Sequence, residues 1–196
     1  MNLLIDRPPK TVLLAGKAVP IETDFRCGML LEQLMEEPAM GPHEKAVRAL
    51  YLFYRPEALE NPEEFGEALD RLLWFYCCGK SPQELRAPKQ WGVPRRIYDY
   101  DVDAGRIYAA FLQAYRIDLC KEDLHWWQFR ALFSALPEET EFARAVRIRA
   151  MDCSKIHDKA QRAHYRRLQA LYALPDGRDE GEKAANIGAL FAGSFK

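Results

Sequence analysis

The sequence has no hydrophobic stretch that could cross a bilayer. Its longest apolar run, Leu72-Leu73-Trp74-Phe75-Tyr76-Cys77-Cys78, falls far short of the ~20 residues that a spanning helix needs, so no membrane partner is expected. Met1-Asn2-Leu3-Leu4-Ile5-Asp6 runs straight into Arg7-Pro8-Pro9 without the charged start and apolar core of a secretion signal, and the chain is expected to stay inside the cell that makes it. Cysteine is scarce and odd in number. Cys27, Cys77, Cys78, Cys120 and Cys153 form no C-x-x-C pair, and the adjacent two could close only a strained ring, so all are read as reduced thiols, mostly buried. An excess of positive charge is missing too: the net charge of −1 argues against a surface built throughout for nucleic acid. G-x-S-x-G, Gly-rich phosphate loops and H-E-x-x-H do not occur, nor does a repeat with a period of roughly 20 to 50 residues. No catalytic residue, metal or cofactor is assigned.

What is present is the balance of an ordinary globular chain: 196 residues, 48% hydrophobic and 29% charged. The expected fold is mainly α, a compact multi-helix bundle with a small N-terminal β-hairpin. One helical domain is expected over 1–175, with lobes 1–80 and 97–175 joined by the Pro/Gly-rich loop 81–96, and 176–196 is expected to be a flexible or partner-ordered tail. Thr11–Leu14 and Ala18–Ile21 flank Ala15-Gly16-Lys17, a hairpin pattern. Thr23 or Asp24 can cap a helix carrying Phe25, Met29, Leu30 and Leu34, and Pro42 opens a second that ends by Pro56. Asn61-Pro62-Glu63-Glu64 reads as a cap, a first-turn proline and a capping box for a third helix, reaching Gly79. After an extended Ile97–Tyr100, helices are expected around Ile107–Tyr115 and Leu124–Phe133. Another is expected from Pro137 through Ile148, and a last one from Lys155 to Tyr172.

Three clusters invite chemistry. Asp99, Asp101 and Asp103 alternate like calcium ligands, yet Ala104 stands where the loop needs Gly and Ala110 where it needs its closing acid; an acidic segment leading into an Asp N-cap is the preferred reading. Cys153, His157 and His164 could share a helix face, but residues seven apart lie ~10 Å apart along the axis, too far for one zinc ion. His125-Trp126-Trp127-Gln128-Phe129-Arg130 is aromatic enough for base stacking, but the preferred reading is one core tryptophan and one at an edge or interface.

Charge is unevenly spread. Glu57, Glu60, Glu63, Glu64, Glu67 and Asp70 face no base between 57 and 70, whereas Arg144, Arg147, Arg149, Lys155, Lys159, Arg162, Arg166 and Arg167 stand against only Asp152 and Asp158. A solvated helix face is the default for the basic stretch. The sharper expectation is that the two blocks meet, within a subunit or between copies.

Ile21-x-Thr23-Asp24-Phe25-Arg26 after a hairpin, Leu73-Trp74-Phe75-Tyr76, Tyr98-Asp99-Tyr100-Asp101 with Ile107-Tyr108-Ala109-Ala110-Phe111, and Leu124-His125-Trp126-Trp127-x-Phe129-Arg130-Ala131-Leu132 before Leu136-Pro137 form an ordered series. In these residues the chain resembles the bacteriophage gene-product-fifteen family of tailed phages and prophages of Gram-positive bacteria, over roughly residues 1–175. The resemblance implies a protein of the tail module without catalytic residues. The expected function is tail assembly, as a chaperone for the tape-measure or tail-tube protein in the bacterial host cytoplasm. The alternatives are a structural component kept in the virion at the tail or head-tail junction, and a nucleic-acid-binding factor using the basic 144–167 region, including Arg149. The candidate protein-interaction residues are Asp24, Arg26, Trp126, Trp127, Arg130, Arg144, Arg147, Arg162, Arg166, Arg167, Leu190 and Phe191. A homo-oligomer is left open, and nucleic acid is disfavoured.

Overall fold

Alternating burial and a turn with two left-handed residues make the first element. β1 (Thr11–Leu14) pairs antiparallel with β2 (Lys17–Pro20), Val12 opposite Val19. Val12 and Leu14 are buried and Leu13 is exposed. Ala15 and Gly16 take φ of 48° and 78°, the conformation of a two-residue hairpin turn whose twist suits the strands. A lone hairpin is marginal; here the Ala15 N–H donates to Glu67 Oε2 at 3.1 Å and so rests on the third helix.

The computed structural model describes residues 2–55, 62–80 and 97–174. Glu57, Glu60, Asn61, the loop 81–96 and the tail with Leu190 and Phe191 lie outside the described residues. The architecture is mainly helical with the N-terminal hairpin: α1 (Phe25–Glu36), α2 (Pro42–Phe53), α3 (Phe65–Tyr76), α4 (Ala104–Tyr115), α5 (Trp126–Ser134), α6 (Glu141–Ala150) and α7 (Lys159–Leu171).

Caps explain most of these boundaries. Asp24 Oδ1 accepts the Arg26 N–H at 2.8 Å and starts α1. Lys45, buried on α2, sends its ammonium to the Met35 carbonyl at 2.6 Å, a cation on the negative end of α1. Five boundaries differ from the sequence expectation. β2 covers Lys17–Pro20 and not Ala18–Ile21, because Ala15 and Gly16 alone make the turn. Residues 62–64 form a 3-10 turn and α3 begins at Phe65, the tightening that helix starts commonly show. Ile97–Tyr100 forms no strand and enters a turn at Tyr100. α6 begins at Glu141, after Pro137, because Thr140 is the cap: its hydroxyl donates to the Pro137 carbonyl at 2.8 Å and accepts the Ala143 N–H at 3.2 Å. α7 begins at Lys159, where Asp158 Oδ1 accepts the Gln161 N–H at 2.6 Å, and Cys153–Lys155 is a separate 3-10 turn.

The described chain divides into two units. The first holds 2–55, 62–80 and 123–131. Its core gathers Phe25, Leu31, Leu50, Phe53, Leu69, Leu72, Phe75 and Phe129, all buried. The second holds 97–122 and 132–174. Phe133 is its centre, with the rings of Phe142, Tyr98 and Tyr100 at 5.0, 5.2 and 5.6 Å, beside buried Ile107, Phe111 and Ile148. α5 contributes Trp126–Ala131 to the first unit and its last turn to the second.

Candidate functional site

The His-Trp-Trp block is the most conspicuous sequence feature, and it is structural. A helix leaves its last four carbonyls without partners, and α3 has all of its own satisfied. The Leu73 carbonyl takes the Cys77 N–H, and the Trp74 carbonyl takes the N–H of Gly79, whose φ of 79° turns the chain. The Trp127 indole N–H donates to the Phe75 carbonyl at 2.7 Å and the Trp126 indole N–H to the Tyr76 carbonyl at 2.9 Å. Two adjacent indoles thus cap one helix end. Glycine makes room for the first: a Cβ on Gly28 would lie 2.4 Å from the Trp126 ring. Trp126 also stacks between Tyr76 and Phe129, with centroids at 5.5 and 5.9 Å.

His125 fixes the start of the same helix. Its Nδ1 accepts the Trp127 N–H at 3.0 Å, which leaves the proton on Nε2 to donate to the Pro9 carbonyl, also at 3.0 Å. Burial holds the imidazole below its ordinary pKa of 6.5, and the bond to Pro9 offsets this in part. The neutral ring is therefore the form that fits. Backbone bonds from the Phe25 N–H to the Leu124 carbonyl and from the Trp126 N–H to the Thr23 carbonyl, 2.9 and 2.8 Å, join the starts of α1 and α5.

This corrects the expectation of one core and one edge tryptophan. Trp126 is 0% and Trp127 2% exposed, so neither offers a ring to a partner. Asp24 and Arg26 pair with each other at 2.8 Å, and the Arg26 guanidinium lies over the Phe25 ring at 4.5 Å. Arg130 is half-buried above the Trp126 ring at 5.5 Å. The five sequence candidates of the first unit thus cluster at the α1–α5 junction, where their described contacts hold the fold together. The interior void of that unit, lined by Cys27, Leu31, Phe53 and Trp126, measures about 10 Å³, room for one water at most.

In the second unit the acidic triplet has two structural jobs. Asp99 Oδ1 accepts the N–H groups of Asp101 and Val102 at 2.7 and 2.8 Å, closing the turn before α4. Asp103 stands at the start of α4 without bonding its backbone. Its carboxylate instead takes Arg149 Nη1 and Nη2 at 2.5 and 3.0 Å and Arg106 Nη1 at 2.8 Å. Arg149 continues to the carbonyls of Ile97 at 3.0 Å and Tyr172 at 2.6 Å. With Asp103 at 0% and Arg149 at 4% exposure, Arg149 is an internal tie and is unavailable to phosphates. Nothing in the spacing of 103 and 149 announced this pair.

The remaining basic candidates sit on or beside α6 and α7. Arg144, Arg147, Arg166 and Arg167 are exposed, and Arg162 is half-buried with Nη2 on the His157 carbonyl at 3.3 Å. Arg144 and Arg147 reach Glu141 and Glu138 only loosely, at 3.7 and 3.5 Å; in the acidic block, Glu67 pairs with Arg71 at 3.3 Å. Sequence reasoning missed the space between the two helices. Arg144, Arg147, Ile148, Met151, His164, Tyr165 and Leu168 line an open cleft of about 520 Å³, within the usual range of binding cavities, ~300–1,000 Å³. Its floor is apolar and its rim carries two guanidiniums. α7 has no buried residue; polar ties hold it. Gln169 Nε2 donates to the Met151 and Ile148 carbonyls at 2.7 and 3.0 Å, and its Oε1 accepts from Cys153 Sγ at 3.2 Å.

Such geometry gives a mainly helical protein that carries, among its described residues, an open groove with a charged rim and an apolar bed. The chain belongs to the family described as Bacteriophage Gp15 protein, whose model matches residues 4–174. No curated protein and no solved structure matches the chain. Members of that family are structural and assembly factors of the tail module of tailed phages. The protein is accordingly a factor of tail assembly that works through other tail-module components. Among the described residues no helix is long and apolar enough to cross a membrane, and no three His, Cys, Asp or Glu side chains gather to hold a metal.

Proposed function

We propose that this protein is a tail-assembly chaperone of the host cytoplasm that holds the tape-measure protein by helix-in-groove contact and yields it as tail-tube subunits close around it. The observation that carries this reading is the α6–α7 cleft. A tape-measure chain is long and helical with exposed apolar stripes, which aggregate unless covered. An amphipathic helix buries one such stripe in a hydrophobic groove and is anchored by side chains one and two turns apart. Ile148, Met151 and Leu168 supply the bed. Arg144 and Arg147 supply a rim that selects a segment with flanking acids and sets its direction.

The test is co-expression with the tape-measure gene of the same tail module. Wild-type protein is expected to raise the soluble tape-measure fraction several-fold, and Leu168→Glu with Met151→Glu, both only half-buried, is expected to abolish the gain without loss of helical signal. A tape-measure protein that stays insoluble beside the wild type refutes the chaperone. Stoichiometric recovery of the protein from purified particles replaces it with a structural component of the tail.

A further inference from the structure

α7 buries none of its residues, and only one of its sides belongs to the cleft. Successive helix residues turn by ~100°, which sets Tyr165 and Leu168 toward the cleft and Lys159, Ala163, Arg166 and Ala170 on the opposite side, with Arg167 at its edge. Lys159, Arg166 and Arg167 are exposed and enter no ion pair among the described residues. A cationic edge of this kind attracts an acidic one, and the chain carries such an edge on α3. There Ala68, Leu69, Leu72 and Phe75 are the buried side, and Glu67 and Asp70 stand on the other, in line with Glu63 of the preceding 3-10 turn. We propose that two copies of the protein associate through these edges, Glu63, Glu67 and Asp70 of one copy lying along Lys159, Arg166 and Arg167 of another.

The edges match in sign, in spacing and in how closely they can approach. Glu63 and Asp70 are seven residues apart, as are Lys159 and Arg166; seven helical residues rise ~10 Å, so the two ends of one edge meet the two ends of the other. Small residues lie among the charges. Ala163 stands between Lys159 and Arg166, and an added Cβ at Gly66 would touch nothing, which lets the helix axes come near enough for ion pairs. Lys159 is the first residue of α7, where the helix dipole opposes a cation, and a neighbour's carboxylate relieves that conflict. On α3, Glu63 and Asp70 are exposed without an ion pair among the described residues, while Glu67 holds Arg71 at 3.3 Å. Single exposed ion pairs contribute little, so the contact depends on several acting together, and it is weak and strongly screened by salt. Unlike edges make it heterologous: copies either exchange both contacts in a closed pair or continue as a chain. The cleft stays open in either case, because it lies on the other side of α7. The contact goes beyond the chaperone reading and does not rest on it.

The experiment is sedimentation velocity of the full chain at about 100 µM and at ionic strengths of about 20 and 500 mM, where charges are felt over ~20 and ~4 Å. The weight-average mass is expected to exceed that of the monomer at low salt and to return to it at high salt. Glu63→Lys with Asp70→Lys, and separately Arg166→Glu with Arg167→Glu, all at exposed positions, are each expected to weaken self-association about tenfold or more while the urea midpoint stays near that of the wild type. Mixing the two variants is expected to restore a complex, because each keeps the edge that the other has lost. Leu168→Ala, in the cleft, is expected to leave the mass unchanged. A monomer at low salt, a mass indifferent to salt or to the reversals, a mixture that stays apart, or a mass lowered by Leu168→Ala overturns the proposal. Its fate is separable from that of the chaperone. A strictly monomeric protein that still solubilises the tape-measure protein removes only the contact between copies, whereas salt-dependent association beside an insoluble tape-measure protein removes only the chaperone.

Discussion

The junction of α3 with α5 and the junction of α6 with α7 are built on opposite principles. At the first, two indoles vanish into the core, each aromatic ring meets another, and a glycine is needed because nothing larger leaves space for Trp126. At the second, α7 buries no residue and is held by Gln169 and by the reach of Arg149 to Tyr172. A tightly filled junction leaves nothing over for a partner, since close-packed interiors have no unspent surface. A helix held by polar ties keeps an apolar side open, and the proposed function uses that side. A loud sequence motif thus marks the part that must be built, and a quiet one the part that can be used.

That contrast can be broken in several ways. Trp126→Ala removes a fully buried ring and one helix cap together and is expected to cost about 4 kcal/mol of unfolding free energy, measured by urea denaturation; a loss under 1 kcal/mol would mean that the aromatic junction is dispensable. Asp103→Ala strands Arg149 in the interior and is expected to cost about 3 kcal/mol, so the second unit too has one strict requirement. Gly28→Ala drives a methyl against Trp126 and is expected to cost about 2 kcal/mol; pairing it with Trp126→Phe sharpens the point, because the smaller ring recovers part of the loss. His125 makes the first junction acid-sensitive. Its folded pKa lies below the ordinary 6.5, so the unfolded chain takes up the proton first and stability drops as pH falls through and below 6.5. The urea midpoint is expected to fall between pH 7.5 and 5.5, and less so in His125→Gln. Leu168→Ala, on the open side of α7, is expected to change stability by no more than about 0.5 kcal/mol while lowering the yield of captured tape-measure protein.

Local chemistry carried much of the fold into the sequence. Asp24 before Phe25, Pro42 at a helix start and Ala15-Gly16 between strand-like pairs each work within one turn of chain, and each has its expected place. Errors arose where two local signals competed. Pro137 and Thr140 both qualify as helix openers, and the hydroxyl prevailed because it accepts an amide that proline cannot satisfy. The long-range facts were not legible. Residues 123–131 join the hairpin and the first three helices, and Arg149 answers an aspartate 46 positions away, contacts that no periodicity encodes. The candidate site was half legible: its arginines stood out as a charge run, but its floor did not, because Ile148, Met151 and Leu168 belong to different turns and become neighbours only once α7 folds back over α6.

The thiols differ in their surroundings in a way that can be exploited at the bench. Cys27 and Cys153 are buried, Cys77 and Cys78 are partly so, and burial pushes the thiols of Cys27 and Cys77 up to about 12 and about 11. Cys120 alone of the five is exposed, in the short turn after α4. A maleimide dye added in limiting amount to the native protein is therefore expected to react first at Cys120, which sets a fluorophore in the second unit without altering a single residue.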